Sequence, residues 1–176
     1  MSNILIIYSS SDGHTFHICE RIKDLFLAKG NGVNIVSVKD IQHLDYQVYD
    51  KILIGASIRY GKHSKLIFEL IKEQLMILNK VPSAFFSVNL VARKENKNTA
   101  ETNPYLKKFL NKITWKPRLT SVFAGKIIYP KYNFFDRIMI QLIMWMTKGP
   151  TDPSTIKEYT NWNRVDEFAK DFLELK

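Results

Sequence analysis

The chain has 176 residues, with 26 Lys or Arg against 17 Asp or Glu, a formal charge of +9 and 45% apolar side chains. That length supports one domain with a sizeable core, the composition is that of an ordinary globular protein, and the lone cysteine, Cys19, excludes an internal disulfide. The positive excess leaves nucleic acid, an anionic membrane surface and an acidic small molecule open as partners.

The opening MSNILIIY lacks the basic front and long apolar stretch of a secretory signal, so a mature cytosolic chain is expected. Within it, NILIIY (3–8) is a nearly continuous apolar run, as a strand buried on both faces should be. Ile18, Ile22, Leu25 and Phe26 recur at helical spacing, and Lys29-Gly30 closes that helix. VNIVSV (33–38) is a β-branched second strand and KILIGA (51–56) a third. The apolar spacing from Leu66 to Leu78 predicts one helix from about Ser64 to Asn79. AFFSVN (84–89) is a fourth strand, Tyr105 to Ile113 a shorter helix opened by Pro104, and SVFAGKII (121–128) a fifth strand. The last helix runs from about Asn163 to Leu175, with Val165, Phe168, Ala169 and Phe172 on its inner face. Strands alternating with helices imply crossovers and a parallel sheet: an α/β fold, an open doubly wound five-stranded sheet ordered 2-1-3-4-5 with helices on both faces. No internal repeat or low-complexity linker divides the chain. It is expected to be a single domain over 1–176, with loop insertions near 90–103 and 129–160.

In such a sheet ligands sit beyond the carboxyl ends of the strands, near the switch point. That edge carries Ser9–Thr15, Ser57–Gly61, Ser87–Asn103 and Tyr129–Thr160, and the last two are longer than a compact turn requires. In the first loop, free amides at a helix start attract an anion, Ser10, Ser11 and Thr15 add hydroxyls, and Gly13 permits close backbone approach. Neither GxxxxGK[ST] nor GxGxxG is present, which leaves a terminal monophosphate held by neutral donors, or simple capping of the helix by Ser11 or Asp12. GASIRYG (55–61) places Tyr60 beside the expected pocket, and SVNLVAR (87–93) follows the fourth strand. A planar ring would find an apolar and aromatic sandwich there, although Tyr60 as a surface aromatic and Arg59 as a solvated charge remain open. Phosphate at the first loop plus ring at the next two describes flavin mononucleotide. The His, Cys and carboxylate residues show no metal-ligand spacing, and no hydrolase motif is present, so no metal is expected.

YSSSDGHT (8–15) resembles the flavodoxin phosphate loop, in which hydroxyls and amides wrap the FMN phosphate. GASIRYGKHS, PSAFFSVNLVARK, YPKYNFFDRIMIQLIM and TDPSTIKEYTNW closely resemble the menaquinone-dependent protoporphyrinogen oxidases, a flavodoxin-like family of bacterial haem synthesis, and the likeness covers nearly the whole chain. Carried over, FMN contacts come from Ser11, Asp12, Gly13, His14 and Thr15 and from the stretch Phe85, Phe86, Ser87, Val88, Asn89, Leu90, Val91 and Ala92. Ser10 joins them through its hydroxyl, and Ser57, Ile58, Arg59 and Tyr60 through the third-strand loop. His14 stands where the family often has Gln, and is expected to present its backbone. The resemblance implies a tetrapyrrole substrate whose propionates would pair with Arg93 or Lys94, with Arg59 another candidate.

It also implies FMN-dependent oxidation of protoporphyrinogen IX to protoporphyrin IX in three two-electron steps, with menaquinone or ubiquinone as acceptor. No catalytic acid or base is assigned by the sequence. FFDRIMIQLIMWM (134–146) is apolar nearly all round yet too short to span a bilayer, which needs about 20 such residues. It reads as a buried lid, a contact in a homo-oligomer, or a helix in the membrane interface with Lys131, Arg137 and Lys148 near headgroups. Peripheral attachment to the cytoplasmic side of an anionic bacterial inner membrane, without a transmembrane segment, is therefore expected. The rival readings are a flavodoxin-type electron carrier, whose family is usually acidic, and an NAD(P)H:quinone reductase of the same fold. No nucleic-acid reading motif accompanies the charge, so no nucleic acid is expected as a partner.

Overall fold

The computed structural model describes residues 1–176. Strands β1 (Asn3–Ser9), β2 (Gly32–Ser37), β3 (Lys51–Ser57), β4 (Ser83–Val88) and β5 (Leu119–Phe123) form one parallel sheet in the order β2-β1-β3-β4-β5. The apolar strands are buried on both faces because helices cover both. Ile4, Ile6, Leu53, Ala84 and Phe86 point toward α1 (His14–Ala28) and α6 (Trp162–Glu174). Leu5, Ile7, Ile52, Ile54 and Phe85 point toward α2 (Lys65–Glu73), α3 (Leu75–Lys80) and α4 (Pro104–Leu110). Each such side chain, fully withdrawn from water, contributes about 1.5–3 kcal/mol before the entropy of ordering is counted. The chain leaves β1 for β2 on one side and reaches β3 on the other, so the loops after β1 and β3 diverge and open a crevice.

Two elements differ from the sequence reading. The helix expected over 64–79 is two, because Gln74 leaves the helical region at φ −100° and ψ 17°. The bend leaves no gap in hydrogen bonding, since Gln74 N–H reaches Leu70 O and Gln74 O accepts from Leu78 N. It lets Leu78 enter the core while Met76 faces solvent. The fifth strand also does not run from 121 to 128. Its ladder to β4 ends at Val88↔Phe123, where β4 itself ends. Beyond that point the chain has no parallel partner and turns at Ala124-Gly125. It becomes β6 (Lys126–Ile128), which pairs antiparallel with β7 (Ile156–Glu158), a strand inside the segment expected to be a loop insertion near 129–160. Between β6 and β7 lies α5 (Phe134–Met146), seated on a small separate core of Ile127, Tyr129 and Met144.

Candidate functional site

At the carboxyl edge of the sheet the loops after β1, β3 and β4 meet β6 and α5 around a cavity of about 490 Å³. Of the residues expected at the site, Ser11, Asp12, His14, Ser57, Ile58, Arg59, Tyr60, Val88, Asn89, Leu90 and Val91 line it. The sequence reading missed Lys126, Lys131, Asp136, Met139, Ile140 and Ile143, all from the β6–α5 excursion.

The first loop is built to receive an anion. Gly13 takes φ 90° as the residue before α1, a left-handed conformation that glycine adopts without steric cost. It supplies no side-chain cap, and the first turn of α1 holds no acidic residue. Within the loop, Gly13 N–H donates to Ser10 Oγ at 2.9 Å and His14 N–H to Asp12 Oδ1 at 3.3 Å. Capping by Asp12 is therefore present, but through one long bond. Thr15 is fully buried and its Oγ1 has no hydrogen-bond partner, an uncommon state for a buried hydroxyl. Ser11 Oγ lies 3.5 Å from Ser57 Oγ and so ties the loop to the end of β3. The imidazole of His14 turns inward. Thr160 Oγ1 donates to Ala124 O at 2.8 Å, so it accepts from His14 Nε2–H at 2.6 Å. Burial pushes the His14 pKa down, so the ring is neutral at pH 7 and its side chain fastens the loop to the turn before α6.

The second wall is the turn after β3. Arg59 and Lys62 exchange backbone hydrogen bonds of 2.9 and 3.1 Å, with Tyr60 and Gly61 at its tip at φ 49° and 72°. Above it, Asp136 of α5 accepts from both the Arg59 guanidinium and the Tyr60 hydroxyl.

The third wall rests on a buried polar chain. Asn89 Nδ2 donates to Ser87 Oγ at 3.3 Å, and that hydroxyl shares a hydrogen bond with His63 Nε2 at 2.9 Å. Asn89 and Asn103 pair through both amides, at 3.3 and 3.1 Å, and Asn103 Oδ1 caps α4 at Tyr105 N–H and Leu106 N–H. Burial between Phe85 and Phe109 pushes the His63 pKa down to about 4, so the ring stays neutral. Ser87 thus supports the wall from below.

Several expected contacts sit elsewhere. Phe85 stacks on Phe109 in one core and Phe86 meets Phe123 at a tilt and Phe168 edge-on in the other, both fully buried, because β4 is an inner strand whose alternate side chains fill the two faces. Ala92 is buried in the former core. Arg93 donates from Nη1 to Leu90 O at 2.9 Å and from Nη2 to Thr147 O and Oγ1 at 2.9 and 2.7 Å, with Tyr159 beneath its guanidinium. Its donors hold the end of α5 in place of a substrate carboxylate. Lys94, next to it, is not part of the cavity wall.

The flavodoxin domain family matches residues 5–154. The chain is 47% identical over 172 residues to a Leishmania major protein named protoporphyrinogen IX dehydrogenase (quinone), covering 97% of this chain and 74% of that one. It is 41% identical over 171 residues to the protein of the same name from Escherichia coli strain K12, covering 97% and 94%. The chain belongs to the flavodoxin-like family of protoporphyrinogen IX dehydrogenases (quinone). Members of this family are oxidoreductases, and FMN is the cofactor. Solved flavodoxins share the fold at low identity. A short-chain flavodoxin associated with a non-canonical PDU bacterial microcompartment superposes with TM-score 0.54 at 8% identity, over 99% of this chain and 98% of that one. Oxidised flavodoxin 1 from Bacillus cereus gives 0.52 at 13% identity, over 99% and 100%.

The residues present fit FMN. A helix start behind a glycine with positive φ, capped only by the one long bond from Asp12, and a buried, unpartnered threonine hydroxyl suit a phosphomonoester. The cavity beside them has the size and the mixed apolar and polar walls that a planar heterocycle requires. No helix of the chain is long and apolar enough to cross a membrane.

Proposed function

We propose that the chain oxidises protoporphyrinogen IX to protoporphyrin IX in haem biosynthesis, with a membrane quinone, menaquinone or ubiquinone, as the final acceptor. The observation that carries this reading is 41–47% identity along nearly the whole chain to proteins named for that reaction. The loss of six hydrogens from the porphyrinogen fits three two-electron steps, for which bound FMN supplies the electron acceptor and the link to quinone. One flavodoxin-like unit over 1–176 carries the site.

The chain's own groups divide the work by position. The amide of Thr15 and the hydroxyls of Ser10, Ser11 and Thr15 hold the phosphate, joined by the amides of Gly13 and His14 as these exchange Ser10 Oγ and Asp12 Oδ1 for phosphate oxygens. Ser57 to Tyr60 and Val88 to Val91 flank the ring. Of the basic side chains lining the cavity, Arg59 is engaged by Asp136 and Lys126 is paired to Glu158 at 3.7 Å, so the exposed Lys131 is the one placed to meet the substrate's propionates.

The expectation that α5 is a buried lid holds for only one side of the helix. Asp136 and Met144 are buried, whereas Phe135 and Trp145 are 75% and 72% exposed, in a stripe continued by Phe134, Ile138, Leu142 and Met146. That stripe is flanked by the exposed Lys131 and Lys148, which suits the surface of an anionic inner membrane, each basic group contributing about 1 kcal/mol when close to it. Peripheral attachment there would bring the cavity to the quinone. The test is anaerobic turnover. FMN-loaded protein given protoporphyrinogen IX should form fluorescent porphyrin only when quinone is added. Bound flavin without turnover would instead support an electron carrier.

A further inference from the structure

Asp136 is the only carboxylate in α5 and is 9% exposed, on the side of the helix that faces the cavity. Asn133 Oδ1 accepts from its backbone N–H at 2.8 Å, so the residue is fixed in the first turn of the helix. Its two carboxylate oxygens are shared between different donors, the guanidinium of Arg59 on one and the hydroxyl of Tyr60 on the other. Both donors stand on the 59–62 turn, a two-residue hairpin whose positive φ values at Tyr60 and Gly61 make it type I′. Asn or Gly is the usual first residue of such a turn. A bulky aromatic there is a genuine outlier, kept only where its surroundings hold it. Here the hold is Asp136, with the Arg59 guanidinium set 5.4 Å from the Tyr60 ring centroid.

At its other end α5 is fastened independently, by Arg93 on Thr147. Between the two fastenings Met139, Ile140 and Ile143 form one wall of the cavity. Loss of the contact at Asp136 would free the hairpin tip and the near end of that wall together, while the far end stays anchored.

We propose that Asp136 is a positioning residue. It sets Tyr60 and Arg59 across the cavity mouth and fastens α5 over the ring side of the site, so that hairpin and helix close as one element. The role rests on the reading of this cavity as the FMN site. It requires no proton transfer by Asp136, which acts through Tyr60 and Arg59.

The test uses the full chain with and without FMN. Asp136→Asn keeps the shape, loses the charge and can no longer satisfy both donors. Hydrogen exchange of residues 134–140 and 58–62 should accelerate in the FMN-free protein. The FMN Kd should rise about tenfold, as expected for one charge-assisted contact. Quenching of flavin fluorescence by the adjacent phenol should be partly lost. Tyr60→Phe should give the same exchange change at the helix start, and the double variant little more than either single one. Asp136→Glu should restore most of the quenching. Asp166→Asn, which breaks an exposed ion pair between α6 and Arg21 of α1, should leave all these readouts unchanged. Unaltered exchange over 134–140 in Asp136→Asn, or fully additive effects with Tyr60→Phe, would overturn the proposal. If Asp136→Asn fails to fold, Tyr60→Phe and Arg59→Lys carry the same measurements. A wild-type chain that binds no FMN would remove the reading of the cavity, and the exchange data on the FMN-free protein would still decide whether the fastening exists.

Discussion

Thr15 gives the sharpest test of the phosphate loop, because one substitution should move two measurements in opposite directions. Its side chain is fully buried and its hydroxyl has no partner in the fold. A buried hydroxyl left unpaired costs about 1–3 kcal/mol of desolvation. Thr15→Val keeps the branched shape and removes that group. The FMN-free variant should therefore be at least as stable as the wild type, and each kcal/mol gained would raise Tm by about 2–4 °C for a chain of this length. With FMN bound, the same hydroxyl would donate to a phosphate oxygen. Hydrogen bonds to charged groups are worth about 1.5–3 kcal/mol, so the FMN Kd should rise roughly 10- to 150-fold. The assay is a thermal melt of FMN-free protein paired with a fluorescence titration of FMN. A variant several degrees less stable, with FMN affinity within about twofold of wild type, would show that the hydroxyl serves the fold and that the phosphate is bound elsewhere.

Burial depresses the His63 pKa to about 4 from an ordinary value near 6.5. The unfolded chain therefore takes up that proton first, and stability should be flat above pH 6.5 and fall by roughly 3 kcal/mol as the pH drops to 4. His63→Gln should flatten that part of a urea-denaturation profile; an unchanged slope would contradict the assignment. Arg93→Ala should loosen the far end of α5, costing about 1–3 kcal/mol in a urea melt, and should speed hydrogen exchange near Thr147. Lys131→Ala should leave stability within about 0.5 kcal/mol and raise the apparent KM for the porphyrinogen at low salt. The reverse pattern would return the propionate role to Arg93. Phe135→Ser and Trp145→Ser should also be near-neutral for folding but lower partition onto anionic vesicles, each by tenfold or more, since burying an aromatic is worth about 1.5–3 kcal/mol. Unchanged partition, with a dimer seen by light scattering, would assign the stripe to a second copy of the chain.

The parallel sheet was legible because local pattern and tertiary role agree in it. NILIIY and KILIGA are apolar throughout, and β1 and β3 are indeed covered on both faces. The spacing of Val165, Phe168, Ala169 and Phe172 likewise marks the buried stripe of α6. The break at Gly125 was not legible, since SVFAGKII is a good strand by composition and stops only because β4 ends beside it. The exposed triplet IKE becomes β7 only through pairing with β6, a partner about thirty residues away. At the site, the serine loop and the turn after β3 could be read from order alone, because the switch point fixes where those loops lie. Phe85 and Phe86 are expected at the site only through the family resemblance, whereas strand alternation commits both side chains to cores. Asp136 lies inside a run that reads as apolar nearly all round. Its spacing to Ile140 and Ile143 at i+4 and i+7 puts it on the inner stripe of α5, and an acid on that stripe was the available signal.

The central claim, that the serine loop grips a phosphomonoester so that a flavin ring lies in the adjoining cavity, is tested most directly by titrating the FMN-free protein with FMN and with riboflavin under identical conditions. The phosphate contacts predict one site per chain for FMN and binding at least about 100-fold weaker for riboflavin, the loss of two or more charge-assisted bonds. Equal affinity for the two, or no binding of FMN, would contradict it.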